Sequence, residues 1–148
     1  MNMVRSGAGL ATMVLAGSMM LGTAAAAQVS AFSCKMSNYG RGYGNSDEMF
    51  LQLDESRNLA VVYDGLIHNY HDKKPIVERY TKSGNGRYEI HYGLDMKFKG
   101  NLSSRADFAV RYFADRREIL VSVNYAGADN QGMGGRGKCQ PTKTVPAG

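Results

Sequence analysis

From Tyr88 to Phe98 every even-numbered position is apolar or aromatic: Tyr88, Ile90, Tyr92, Leu94, Met96 and Phe98. The odd positions between them are Glu89, His91, Gly93, Asp95 and Lys97. A helix repeats its apolar positions every three to four residues, so a period of two excludes one here and predicts a strand with one face on a core. At about 3.3 Å per residue the run would reach roughly 36 Å, beyond the usual five or six residues of a strand. Parity holds through Gly93, which predicts a single strand bent at that glycine, as at a barrel corner.

Shorter alternations recur through the chain. Phe32, Cys34 and Met36 share one parity, as do Met49, Leu51 and Leu53, and Leu59, Val61 and Tyr63. Asp64-Gly65 reads as a turn, "LIHNYH" as a weaker strand, and "PIVERYT" as the strand before the Gly84-Asn85-Gly86 loop. Downstream, Phe108, Val110 and Tyr112 form one face and Ile119, Val121, Val123 and Tyr125 another, with "ADRRE" turning between them. The expectation is all-β, an antiparallel meander of about eight strands closing into a small lipocalin-like or inhibitor-like barrel. Closure removes exposed strand edges, and at about eight strands the interior fills with side chains or holds one small ligand.

The first hairpin around Gly86 leaves two registers open. A two-residue Asn85-Gly86 turn places Val77 opposite Leu94 and Arg79 inward. A three-residue loop places Ile76 opposite Leu94, Tyr80 opposite Ile90, and Glu78 inward. The glycine-rich stretches 38–48 and 126–138 lack alternation and read as loops, offering a rim that displays Tyr39, Arg41, Tyr43 and Arg136.

Residues 1–27 have a basic start, an apolar middle and an A-x-A-type end, the pattern of a cleaved secretory signal peptide. No lipobox precedes Cys34. This places the mature domain, residues 28–148 with a flexible C-terminal tail, in the periplasm or outside the cell, with no membrane span after cleavage. In an oxidising compartment Cys34 and Cys139, the only two cysteines, are expected to form a disulfide joining the domain's ends. The formal charge is +5, one unit of it on Arg5, and the basic residues are interleaved with acids, which argues against nucleic-acid binding.

Catalytic signals are missing. His68 and His71 are the only histidines at metal-like spacing, and on a strand that spacing points them to opposite faces, so no metal or cofactor is expected. No nucleophile elbow, zinc-protease or phosphate-loop motif occurs. Asn101-Leu102-Ser103 matches a glycosylation sequon. The primary expectation is a non-enzymatic binding or inhibitory barrel of the cell envelope. The alternatives are a carrier of a small apolar ligand and an envelope enzyme with an unfamiliar site.

The order Phe32-x-Cys34, Ser83-Gly84-x-x-Arg87-Tyr88, Phe98-Lys99-Gly100 and a late Cys139 resembles the periplasmic and membrane-bound inhibitors of C-type lysozyme. Those are small disulfide-tied β-barrels that insert a serine-glycine loop into the lysozyme cleft. The resemblance implies a lysozyme as partner, binding through Ser83, Arg87, Tyr88 and Lys99. In it Ser83 is the inserted residue and Lys99 meets a catalytic carboxylate. The loop here is one residue longer than the family's, the usual tryptophan before the lysine is absent, and two further strands separate Gly100 from Cys139.

Overall fold

Eight strands pair each with the next and the last with the first, closing a barrel. They are β1 (Val29–Asn38), β2 (Glu48–Asp54), β3 (Leu59–Asp64), β4 (Ile76–Lys82), β5 (Arg87–Lys97), β6 (Ser103–Phe113), β7 (Glu118–Tyr125) and β8 (Gly134–Thr142). Every pairing is antiparallel. One helix, α1 (Gly65–Tyr70), joins β3 to β4. The computed structural model describes residues 28–38, 47–100, 102–127 and 133–146. The expected signal peptide, Asn101 of the sequon, and Tyr39, Arg41 and Tyr43 of the expected rim lie outside them.

The inward faces merge into one core cluster. β5 contributes Tyr88, Ile90, Tyr92, Leu94 and Met96, β6 contributes Phe108, Val110 and Tyr112, and β7 contributes Ile119, Val121 and Val123. Tyr92 stacks on Phe108 with ring centroids 4.8 Å apart, and Phe32 meets Tyr112 at 4.7 Å. Aromatic pairs at such distances add to the area they bury. The Cys34–Cys139 disulfide links directly opposed residues of β1 and β8, so it locks the seam where the first strand meets the last. Val145 of the C-terminal segment packs against the same core.

β5 is a single strand of 11 residues paired without interruption to β6, from Arg87 opposite Phe113 to Lys97 opposite Ser103. It ends at Lys97. Phe98 has the inward parity but lies beyond the strand, 45% exposed, with its ring 5.9 Å from Tyr70. The β4–β5 loop has three residues: Ser83 N–H donates to Arg87 O and Gly86 N–H to Ser83 O, with Gly86 at φ 74. That left-handed glycine closes the three-residue hairpin, and it fixes the register with Tyr80 opposite Ile90.

Several expectations are corrected. Glu78 is exposed, because β4 pairs with β5 only over Tyr80–Lys82 and has left it by residue 79. "LIHNYH" is helical. The Asp64 carboxylate caps α1 by accepting from Ile67 N–H at 2.8 Å, and Leu66, Ile67 and Tyr70 form its apolar side. In β3 the inward residues are Ala60 and Val62 rather than Leu59 and Val61, since Leu51 pairs with Val62 and Leu53 with Ala60. The segment 134–142, read in its first half as loop, is β8. The strand count agrees with expectation, but its membership differs by that exchange of 66–71 for β8.

Candidate functional site

The turns at one end of the barrel are 55–58, 83–86 and 114–117; α1 and the connection from β5 to β6 lie at the other, because successive strands run in opposite directions. Ser83, Arg87 and Tyr88 belong to the first end and Lys99 to the second. An 11-residue strand separates them, about 36 Å at 3.3 Å per residue. The structure therefore brings three of the four expected binding residues together and leaves Lys99, which is exposed, at the far rim.

At the first end a cluster forms that no single segment announces. Tyr88 points inward and is 5% exposed, yet its hydroxyl donates to Glu55 Oε1. Lys82 Nζ donates to the same oxygen at 2.9 Å and lies 4.9 Å from the centre of the Tyr88 ring. Tyr80 packs edge-on against Tyr88, with ring centroids 5.2 Å apart. The hydrogen bonds from Tyr88 and then Lys82 hold the Glu55 carboxyl below its usual range. Burial, and then the Glu55 contact, raises the Tyr88 phenol, and the Tyr88 and Glu55 contacts raise the Lys82 ammonium. Neither Glu55 nor Tyr88 is thereby tuned toward neutrality, where a general acid or base works best. The cluster is a hydrogen-bonded polar rim.

Asp54 beside it is buried and accepts from Ser56 Oγ at 2.6 Å, from Arg57 Nε at 2.6 Å, and from the main-chain N–H groups of Ser56 and Arg57. These bonds, that from Ser56 first, lower its pKa and fix the 55–58 turn. Ser83 is half-buried and its main chain closes the neighbouring turn. Arg87 Nη2 lies 3.7 Å from Glu89, while its Nε is buried without a hydrogen-bond partner among the described residues. Exposed Arg57, Lys82, Arg116 and Arg117 join half-buried Arg87 on this rim; Asp54 pairs with Arg57, Glu55 with Lys82, Glu89 with Arg87 and Glu118 with Arg116, while Arg117 has no ion pair among the described residues.

The opposite end has a different character. A groove of about 750 Å³ separates α1 and residues 71–73 from β5, with His68, His71, Lys73, Asp95 and Lys97 along it. Because 65–70 is helical, His68 and His71 share this groove rather than facing apart. His68 Nδ1 contacts the Tyr63 hydroxyl at 2.7 Å and His71 Nδ1 the Lys74 carbonyl at 2.8 Å. Among the described residues no group of three His, Cys, Asp or Glu side chains is placed to hold a metal, and no helix is long and apolar enough to cross a membrane.

The rim turn at 83–86 was legible in the sequence. Glu55 and Lys82 were not, since barrel closure alone brings residue 55 to residue 88. No family model, curated protein or solved structure proves significantly similar to this chain.

Proposed function

We propose that the mature chain is an exported, non-catalytic binding module that engages an acidic protein surface with the rim of turns 55–58, 83–86 and 114–117. The observation that carries this reading is the grouping there of Arg57, Lys82, Arg87, Arg116 and Arg117 on turns anchored by buried Asp54 and Tyr88. Cations on a preorganised rim steer an acidic partner and lose little entropy on contact. The disulfide across the seam suits a periplasmic or secreted protein. The inward face, filled by Tyr92, Phe108, Tyr112 and their neighbours in mutual contact, gives an interior carrier no comparable support.

A lysozyme cleft, lined by catalytic carboxylates, is one acidic surface of this kind. In this barrel Ser83 would enter it with Lys82 and Arg87 alongside, and Lys99 would take no part. The test is inhibition of C-type lysozyme by the oxidised mature protein. Lys82→Ala and Ser83→Ala should weaken inhibition at least tenfold and Lys99→Ala less than twofold. Absence of inhibition removes the lysozyme reading. Absence of binding to any polyanionic protein surface at low ionic strength removes the wider one.

A further inference from the structure

β4 and β5 share three register pairs, fewer than any other seam of the barrel. Below Tyr80 the β4 strand stays with β3, pairing Ile76–Arg79 with Leu59–Val62, while β5 runs on to Lys97 paired on its other side with β6 only. The direction of its main-chain groups follows from the bonds at either end. Phe98 N–H donates to Leu102 O, so even-numbered residues of β5 exchange their bonds with β6. Ser83 N–H donates to Arg87 O, so odd-numbered residues face β4. From Gly93 onward no strand answers them. Because the β4–β5 register stops at Tyr80 and Ile90, the N–H and C=O groups of Gly93, Asp95 and Lys97 on that side have no ladder partner among the described residues, and these residues line the groove beneath α1.

We propose that this edge is a binding site for an extended peptide, which adds to β5 as a short strand between β5 and α1. An alternating row of donors and acceptors is matched by another extended backbone, and by neither a helix nor a compact small molecule. The span from Gly93 to Lys97 is about 13 Å at 3.3 Å per residue, room for a strand of four or five residues. The wall opposite the edge ends in a sharp loop: Asp72 and Lys73, neither of them glycine, sit at φ 50 and φ 59. Consecutive left-handed residues of this kind persist where the surrounding structure requires them. Lys73 and Lys97 line the groove with no ion pair among the described residues; of the two acids along it, Asp95 is engaged by Arg105 at 3.2 Å, and Asp72 offsets only one lysine. The peptide favoured is therefore one that alternates an apolar residue, for exposed Phe98 and its neighbour Tyr70, with an acidic one.

This surface is separate from the rim of turns 55–58, 83–86 and 114–117, and the test keeps the two apart. The oxidised mature protein, ¹⁵N-labelled, is titrated with acetylated heptapeptides alternating valine with glutamate or with lysine. Two further glutamate peptides are N-methylated, each on one of the two alternate sets of residues. The expected result is saturable shifts and slowed hydrogen exchange at the amides of Gly93, Asp95 and Lys97, with the glutamate peptide at least threefold tighter than the lysine one. One N-methyl set abolishes binding and the other is tolerated, because only alternate N–H groups face β5. The main-chain change Asp95→Pro weakens binding at least tenfold, whereas Lys82→Ala leaves it unchanged. Three results would each overturn the proposal: no change at these amides up to millimolar peptide, equal tolerance of both N-methyl sets, or protection of the same amides by self-association without peptide.

Discussion

Gly93 lies directly beneath the guanidinium of Arg105: a Cβ added there would stand 2.0 Å from Arg105 Nη2. Arg105 crosses the strand at this point to reach Asp95 and Asp107, each at 3.2 Å. The glycine thus makes room on the outer face for a charge ladder, and its φ is not in the left-handed region. The atom in the way is the far end of a flexible exposed side chain holding surface ion pairs, which are worth about 0–1 kcal/mol. Replacing an interior glycine gains about 0.5–1 kcal/mol in backbone entropy. Gly93→Ala is therefore expected to change stability by less than about 0.5 kcal/mol in urea unfolding. A loss above about 2 kcal/mol would instead restore a bend that only glycine can make.

Gly134 is the opposite case. A Cβ there would lie 2.2 Å from the main-chain oxygen of Val121 on the neighbouring strand, and at Gly137 one would lie 2.6 Å from Lys35 O. Backbone cannot swing aside as a guanidinium can. Gly134→Ala and Gly137→Ala are each expected to cost about 2–3 kcal/mol, within the range for steric conflict at a packed site. A neutral result at both would mean that β8 does not approach β7 and β1 this closely.

These two glycines also show where the sequence stops being readable. Strands whose inward residues alternate cleanly, β5, β6 and β7, were plain, because burial on one face imposes a period of two. β8 was hidden because its glycines, a turn signal in isolation, serve close strand approach, which depends on neighbours far away in the chain. α1 was hidden because Asp64-Gly65 fits a turn as well as a helix cap. The 3–4 spacing of Leu66 and Ile67 to Tyr70 after a capping Asp was the available signal. In β3 both parities of "LAVVY" are apolar, so only pairing with β2 decides that Ala60 and Val62 face inward. The rim was half legible: turn residues marked 83–86, but the meeting of Glu55 with Tyr88 and Lys82 is a product of closure. The groove beneath α1 was not legible at all, since it arises from β4 leaving β5.

The seam disulfide encloses 105 residues of sequence separation. The chain-entropy model for a loop of that size gives about 4–5 kcal/mol, a large part of the 5–15 kcal/mol typical of a domain. Cys34→Ser/Cys139→Ser, or full reduction, is expected to lower the unfolding free energy by about 4 kcal/mol. Both cysteines are buried, so serine adds a polar cost and Cys34→Ala/Cys139→Ala is the cleaner comparison. Equilibrium unfolding with and without reductant measures it. A difference under about 1 kcal/mol would mean that β1 and β8 hold the seam without the bond.

Stability should also fall on the acid side through Glu55. Its carboxyl titrates lower in the folded protein than its ordinary 4.5, because the Tyr88 hydroxyl and Lys82 ammonium bind the ionised form. A depressed folded value means that the unfolded chain takes up the proton first. The contribution is complete above about pH 4.5 and is lost as pH falls through the lowered folded value. Glu118, held down chiefly by Lys138 at 2.7 Å, acts in the same direction. Glu55→Gln keeps an oxygen for Tyr88 but abolishes the charge, and at pH 7 it should cost about 1 kcal/mol. The informative measurement is the gap in urea midpoint between parent and Glu55→Gln at pH 7, 5, 4 and 3. It should hold steady from 7 to 5 and shrink toward zero below 4.5. A gap that stays constant to pH 3 would show that Glu55 titrates alike in both states and that its contact with Tyr88 contributes nothing to the rim.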